Sequence, residues 1–249
     1  MRSRVDIKTE AKELVRTGRV SPILVTAIML VITNVLSEVI SLVQRGTLSI
    51  TYLKQTMEHL MQYGEMYITE EPSLPFPVRT FAAVLVSLIA TVIHAGYYSY
   101  CMGIRRREET PISALADGLG IVGKVIWCDI LVGIKVFLWS LLFYFPGFIA
   151  AYRYRFAMLN IINDPSLTAS QAIALSCQQT DGMKMDLFVL DLSFFGWRLL
   201  SSLTFGILDI WLTPYITLSE LGYYEMAQAR MGVTPDDGNA PKNDTPWEF

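Results

Sequence analysis

The chain has 249 residues, of which 52% are hydrophobic and 17% are charged, and its formal net charge is −3. Soluble domains usually contain about 25% charged residues, so this composition is poor in charge for a soluble protein. The slight negative charge also argues against nucleic-acid binding, which needs basic surfaces. The three cysteines form no Cys-x-x-Cys pair, and there are only two histidines. We therefore predict no metal centre, no disulfide framework and no cofactor.

The first 20 residues are rich in Lys and Arg. They can form a short amphipathic helix with Val5, Ala11, Leu14 and Val15 on its apolar side. Such a helix beside a membrane span suits an anionic membrane surface. A solvated basic arm is the alternative interpretation.

Two apolar segments follow, at residues 22–43 and 80–104, and each is near the roughly 20 residues that cross a bilayer core. The polar, proline-containing segment between them is predicted to lie outside the cell. The second apolar segment is followed directly by Arg105-Arg106-Arg107. Because basic clusters flank both ends of this two-span hairpin, the positive-inside rule places both clusters, and the N-terminus, in the cytoplasm.

The next two spans are predicted on either side of the pair Pro146-Gly147, which is typical of a tight turn. A short cytoplasmic helix over residues 110–117 leads into the third span at 124–145. The apolar residues 146–163 then return toward the cytoplasm. They form either a fourth span or an interfacial segment, and we favour the span.

The C-terminal part is predicted as a cytoplasmic helix, two more spans and a tail. Thr168 and Gln171 have the spacing of a capping box, which predicts a helix start. The predicted ranges are 168–178 for this helix, 184–204 for the fifth span, 206–226 for the sixth span, and 229–249 for a disordered cytoplasmic tail rich in Pro, Asp and Asn.

Several ionisable residues fall inside the predicted spans. A charge at mid-membrane costs roughly 2.5–3.5 kcal/mol on insertion scales, so such residues usually face the bundle and find a partner. Counting about 1.5 Å per helical residue places Arg155, Asp191 and Asp129 at similar depth. We predict that Arg155 or Arg153 pairs with Asp191 or Asp129.

Arg198 is two helical turns from Asp191, too far for a direct bridge. We expect it to contact Asp209 or to reach the outer interface by snorkelling. The paired charges either fix which helices meet or line a polar path for an ion, a proton or a small anion. The predicted buried charge network consists of Asp129, Lys135, Arg153, Arg155, Asp191 and Arg198.

Short motifs between residues 144 and 224 are specific when taken together. They include the positions Pro146, Gly147, Tyr152, Asp164, Pro165, Ser176, Gly196, Trp197, Pro214 and Tyr215. On these motifs the chain resembles a family of integral membrane proteins found mainly in Gram-positive bacteria and catalogued as a domain of unknown function (family nine-seven-five). The resemblance implies a six-helix membrane protein and supplies no activity, cofactor or catalytic residue.

We predict an all-α, polytopic membrane helical bundle of about six transmembrane helices with short amphipathic cytoplasmic helices. One membrane domain over residues 1–228 would lie in the cell membrane with both termini in the cytoplasm. The first functional hypothesis is a non-enzymatic scaffold or accessory protein, with the lipid bilayer and a membrane protein as partners. The second is a small transporter or channel. An enzyme is the weakest hypothesis, because the chain has no H-E-x-x-H, G-x-S-x-G or phosphate-binding lysine motif.

Overall fold

The computed structural model describes residues 3–17, 21–45, 57, 61, 75–107, 120–142, 144–204 and 206–232. Within these ranges the regular structure is all helical. The predicted helix at 110–117, most of the predicted external segment and the tail beyond residue 232 lie outside the described residues. The helices are α1 (Arg4–Thr17), α2 (Pro22–Arg45), α3 (Phe76–Arg105), α4 (Val122–Leu142), α5 (Tyr144–Arg153), α6 (Ala157–Asn163), α7 (Ala169–Gln179), α8 (Lys184–Leu203) and α9 (Asp209–Arg230).

The chain divides into two compact units. The smaller unit, Ile28–Thr91, holds most of α2 and the first half of α3. The larger unit comprises Met1–Ala27 and Val92–Phe249. It contains α1, the second half of α3 and all helices from α4 onward.

Two helices, α3 and α4, are long and apolar enough to cross a membrane by length and composition, with mean hydropathy 2.0 in each. In the apolar part of each helix few residues are buried, 6% in α3 and 11% in α4. Neither helix is therefore enclosed in the centre of a core. The part of α2 from Pro22 to Glu38 is apolar but shorter. Among the described residues, these two helices alone are long and apolar enough to cross a membrane. In α8 and α9, where two further spans were predicted, charged residues interrupt the apolar sequence.

Helix α9 is the centre of the larger unit, because its side chains are largely buried from Leu212 to Gln228. Helix α1 packs along it. The buried face of α1 is Ile7, Ala11 and Val15, at the four-residue spacing that places side chains on one side of a helix. The predicted apolar face is correct at Ala11 and Val15 and wrong at Val5, which is 69% exposed. Leu14 is only half-buried, and Ile7 is the buried residue that the prediction missed.

Pro146 and Gly147 do not form the predicted turn but lie in the first turn of α5. Proline is tolerated there because the first four N–H groups of a helix have no partner within the helix. Gly147 is buried against α4, where a Cβ atom would come 2.8 Å from the Cα atom of Ser140. A glycine at this position therefore permits the close contact between α4 and α5.

The predicted fourth span is two shorter helices, α5 and α6, separated by a turn at residues 154–156. Helix α7 satisfies the backbone groups at this break. The Ser176 hydroxyl accepts a hydrogen bond from the N–H of Phe156 at 3.0 Å and donates to the Arg153 carbonyl at 2.9 Å. The predicted capping box at the start of α7 is confirmed, because the Thr168 and Gln171 side chains bond each other's backbone N–H groups.

Candidate functional site

A cluster of charged side chains lies at the break between α5 and α6. Arg155, in the break, binds Asp191 of α8 through two parallel hydrogen bonds, Nη1–Oδ2 at 2.5 Å and Nη2–Oδ1 at 3.1 Å. Its Nε atom donates to Oε1 of Glu220 in α9 at 2.6 Å. Two-pronged arginine–carboxylate bonds are among the strongest hydrogen bonds in proteins. Arg155 therefore ties the broken helix to both α8 and α9.

Two tyrosines complete this cluster. The Tyr152 hydroxyl donates to Oδ2 of Asp191 at 2.8 Å, and the Tyr98 hydroxyl of α3 donates to Oε2 of Glu220 at 3.1 Å. Each carboxylate therefore accepts bonds from both a guanidinium and a phenol. We call the five residues Tyr98, Tyr152, Arg155, Asp191 and Glu220 the Arg155 cluster.

The Arg155 cluster is largely enclosed. The exposed side-chain fractions are 17% for Arg155, 24% for Asp191 and 8% for Glu220. With all three groups ionised, two carboxylates face one guanidinium, which leaves one negative charge in excess. Removing one partner from such a pair usually costs several kcal/mol, because the remaining charge stays buried and unpaired. The arrangement can hold four helical segments in a fixed geometry.

A second arginine is bound in the same manner at the end of α3. Arg105 is 1% exposed and donates to both oxygens of Glu225, from Nε and Nη2, at 2.7 Å each. It also bonds the Leu218 carbonyl at 2.9 Å and Glu10 of α1 at 3.3 Å. Of the basic triplet used to predict topology, Arg105 is thus internal, and Arg106 and Arg107 are exposed.

Gly222 provides the room for this second cluster. A Cβ atom at Gly222 would approach Cγ2 of Ile7 to 2.6 Å and the Arg105 guanidinium to 3.2 Å. Real Cβ atoms essentially never come as close as 2.6 Å to another side chain. Glycine at this position therefore lets both α1 and Arg105 contact the surface of α9.

An uncharged network joins α6, α7 and α9. The side-chain amides of Asn160 and Gln179 bond each other reciprocally, each at 2.9 Å. The Tyr224 hydroxyl donates to Oδ1 of Asn160 at 3.0 Å and accepts from Gln228 at 2.9 Å. These buried amides specify how α7 docks, because an unpaired amide would be costly to bury.

Hydrogen bonds join two of the six predicted network residues, Arg155 and Asp191, and the charge of Arg198 also acts on Asp191. The other four, Asp129, Lys135, Arg153 and Arg198, are exposed. The Lys135 ammonium lies 5.9 Å from the centre of the Tyr154 ring. Within the described part of the chain, Arg198 forms no ion pair with Asp209, so the expected contact between them is absent.

The positions that carry the family resemblance have different roles. Tyr152 binds Asp191, and Gly147 permits the contact between α4 and α5. Ser176 bonds the backbone groups at the break between α5 and α6. Asp164 accepts bonds from the N–H and hydroxyl groups of Ser166, and the Pro165 carbonyl accepts from Lys124.

The remaining motif positions lie in α8 and α9. Pro214 is buried within α9, and the ring of Tyr215 meets Phe194 edge-on at 5.1 Å. A Cβ atom at Gly196 would meet no heavy atom within 4 Å, and Trp197 is 46% exposed. Nothing in the described residues explains why these last two positions carry their particular residues.

Sequence reasoning missed Glu220 and Tyr98 as members of the Arg155 cluster. The available signal was an acid near the middle of an apolar helix, at a position where lipid contact would be costly. It also missed Lys8, whose ammonium donates to Ser193 at 3.0 Å and lies 4.1 Å from the centre of the Phe194 ring.

The comparison with protein families agrees with the resemblance. The family model described as a protein of unknown function (DUF975) matches residues 1–160 and 145–231. The chain therefore belongs to this family. No match is found among curated proteins or among solved structures.

Proposed function

We propose that this member of the DUF975 family is a multi-pass integral membrane protein that acts as a non-enzymatic scaffold or accessory subunit. About six helical segments cross the bilayer, and both termini lie in the cytoplasm. The packed end of the larger unit, around the second half of α9, presents cytoplasmic helices to a membrane-protein partner.

The exposed apolar surface supports the membrane location. On α4 the outward side chains include Trp127, Phe137 and Leu141, of which Leu141 is 74% exposed. On α8 the last turns expose Phe195, Leu199 and Leu203. Monomeric soluble proteins rarely expose contiguous apolar patches above a few hundred Å². A lipid environment removes the cost of exposing these side chains to water.

The single observation that favours a scaffold is the closure of the Arg155 cluster. All three side-chain nitrogens of Arg155 bind carboxylate oxygens of Asp191 and Glu220, and these carboxylates also accept bonds from tyrosines. A charged side chain whose donors are all hydrogen-bonded to neighbouring helices stabilises the contacts between those helices. A transport site would instead need its polar groups available to a solute.

A tagged full-length protein tests the scaffold role. We expect it to resist extraction from membranes at alkaline pH and to co-purify with a stoichiometric membrane-protein partner. Arg155→Met, which loosens the packed end, should reduce that recovery, whereas Arg198→Met should not. The scaffold role would be contradicted if the partner's recovery were the same with both variants, or if the purified protein carried a solute flux that depends on Asp191.

A second candidate function is transport of a proton or a small cation. Two observations favour it: the cluster has one carboxylate in excess, and it lies at a break in a helix, as ion sites of transporters often do. Flux of protons and small cations into liposomes, compared between the wild type and Asp191→Asn, tests this candidate. Flux that disappears in the variant would support transport, and equal leakage in both would exclude it.

A further inference from the structure

Helix α1 has a buried face and an outward face, and the two sides between them carry opposite charges. At about 100° per residue, Lys8, Lys12 and Arg16 fall in sequence along one side of the buried Ile7–Ala11–Val15 face. The acids Asp6, Glu10 and Glu13 fall on the opposite side. The helix therefore has a basic edge and an acidic edge, which we define by these two sets of three residues.

Two residues of the acidic edge, Asp6 and Glu10, bind the protein's own groups. Glu10 binds Arg105 at 3.3 Å, and Asp6 accepts the N–H group of Ser3 at 2.9 Å, which caps the start of the helix. Within the basic edge, Lys8 is directed inward to Ser193 and Phe194. Lys12 and Arg16 are exposed. Their charges are the ones that remain available to an external partner.

The apolar face of α1 is not available to insert into a bilayer, because it is already packed on α9. Ile7 and Ala11 are 0% exposed, and Val15 is 3% exposed. The usual mode of a basic amphipathic helix, with its apolar face in the acyl region, is thus replaced by a protein contact. Apart from Val5, the exposed side chains described in α1 are polar or charged, so we attribute a membrane contact of α1 to its charges.

The chain connection holds the basic edge close to the membrane surface. Helix α1 ends at Thr17, and the apolar part of α2 begins at Pro22. An extended chain covers at most about 3.6 Å per residue, so Arg16 lies within about 22 Å of the start of α2. If α2 enters the bilayer there, Lys12 and Arg16 lie near the headgroups of the same leaflet.

We infer that the basic edge of α1 binds the anionic phospholipid headgroups of the cytoplasmic leaflet, through Lys12 and Arg16. This inference rests on the proposed membrane location. Charge complementarity selects the occupant, since an anionic leaflet attracts adjacent Lys and Arg residues with about 1 kcal/mol each, or about fivefold per residue. The contact fixes α1 at the surface while its apolar face holds α9.

Lipid retention measures this binding directly. The full-length protein is purified in detergent with equimolar phosphatidylglycerol and phosphatidylcholine, and the bound lipids are counted by native mass spectrometry. We expect phosphatidylglycerol to be enriched in the wild type, and Lys12→Gln/Arg16→Gln to lower the enrichment at least fivefold. Lys12→Arg/Arg16→Lys, which keeps both charges, should retain it. The thermal midpoint in phosphatidylcholine alone should be the same for all three proteins, since both side chains are exposed.

The matched control is Arg106→Gln/Arg107→Gln, which removes two charges from exposed arginines outside α1. Equal loss in this control would show a general charge effect and overturn the inference, as would unchanged enrichment in the α1 variant. Millimolar inorganic phosphate added to the same equimolar lipid mixture is the third arm, and displacement of phosphatidylglycerol by it would identify a soluble anion site instead. Extraction of the wild type from membranes at alkaline pH would refute the proposed function itself, which distinguishes the two failures.

Discussion

The two halves of α8 are similar in apolar composition but have different surroundings. In the first half, Leu187, Leu190 and Phe194 are at most 1% exposed, and Asp191 is bound by Arg155 and Tyr152. In the second half, nearly every side chain from Phe195 to Leu203 is exposed. The buried residues of α4 likewise lie near its start, at Val125 and Cys128. Hydropathy therefore does not determine which part of a helix is packed.

Paired charges mark the difference between the two regions. Both arginines that bind two carboxylates, Arg155 and Arg105, lie where the helices meet α9. The exposed half of α8 contains Arg198, and the exposed half of α4 contains Lys135. In the packed region, paired charges lie among buried apolar side chains, whereas the exposed region is mainly apolar.

The largest expected effect comes from removing the guanidinium of the Arg155 cluster. Arg155→Met should lower the free energy of unfolding by about 3–5 kcal/mol, because Asp191 and Glu220 would stay largely buried without their partner. Thermal or denaturant unfolding in detergent measures this change. Arg198→Met, in the exposed half of α8, should change stability by less than about 0.5 kcal/mol.

A similar loss in both arginine variants would remove the distinction between the two regions. A further variant sharpens the test. Neutralising both acids as well, in Arg155→Met/Asp191→Asn/Glu220→Gln, should recover most of the stability, because no unpaired charge remains.

The next effect concerns close packing on α9. Gly222→Ala should destabilise the fold by about 1–3 kcal/mol, because the added methyl group would overlap Ile7 and press on Arg105. The control is Gly133→Ala in α4, where a Cβ atom would meet no heavy atom within 4 Å. There the better helix propensity of alanine should stabilise by about 0.5–1 kcal/mol. The same sign of change at both positions would contradict the packing described here.

A smaller loss is expected from the tyrosine of the cluster. Tyr152→Phe removes one hydrogen bond to Asp191 and should cost about 1 kcal/mol, since Arg155 still holds the carboxylate. Tyr215→Phe is the matched control, because that ring packs on Phe194 and Trp211 and should tolerate loss of its hydroxyl. Unfolding midpoints compare the two. A larger loss of stability in Tyr215→Phe than in Tyr152→Phe would contradict this expectation.

The smallest effect is a pH dependence from Lys8. Burial, and then the nearby Arg4, lower the pKa of Lys8 below its ordinary value of 10.5. Between the lowered folded value and 10.5 the unfolded chain binds more protons, so stability rises with pH in that window. The wild type should therefore gain stability relative to Lys8→Met as pH is raised toward 10.5. A parallel pH profile for the two proteins would contradict the burial of this ammonium.

Parts of this arrangement could be predicted from sequence because they depend on local spacing or on depth. The capping box at Thr168 needs only the separation from Gln171. Distance from the segment ends limited the pair to Arg155 or Arg153 with Asp191 or Asp129, and the structure shows Arg155 with Asp191. Family membership was predictable for the same reason, since its motifs are short and contiguous.

Other parts could not be predicted because they depend on which side of a helix faces the bundle. The depth argument allowed Asp129 and Arg153 as well as Asp191 and Arg155, but the side chains of Asp129 and Arg153 are exposed. Lys135 and Arg198, which were also predicted in the network, are exposed too. In an apolar helix nearly every face has the same hydropathy, so periodicity gives no rotation. Only contacts with other helices set it.

The turn at Pro146-Gly147 was predicted wrongly for another physical reason. Proline and glycine favour a turn in general, but proline is also compatible with a first helical turn. The decisive factor was the approach of α5 to Ser140 of α4, which requires a residue without a side chain. That requirement is a tertiary contact and leaves no separate signal in the sequence.

The central claim is that the region packed around paired charges is enclosed by protein, and that the exposed apolar region faces lipid, as we propose. Spin labels at Phe137 and Leu199, and a reference label at Thr9 on the exposed side of α1, test it in liposome-reconstituted protein. We predict that the first two labels are accessible to oxygen and protected from a water-soluble nickel reagent, and that Thr9 shows the reverse. Ready access of the nickel reagent to Phe137 and Leu199 would contradict the account.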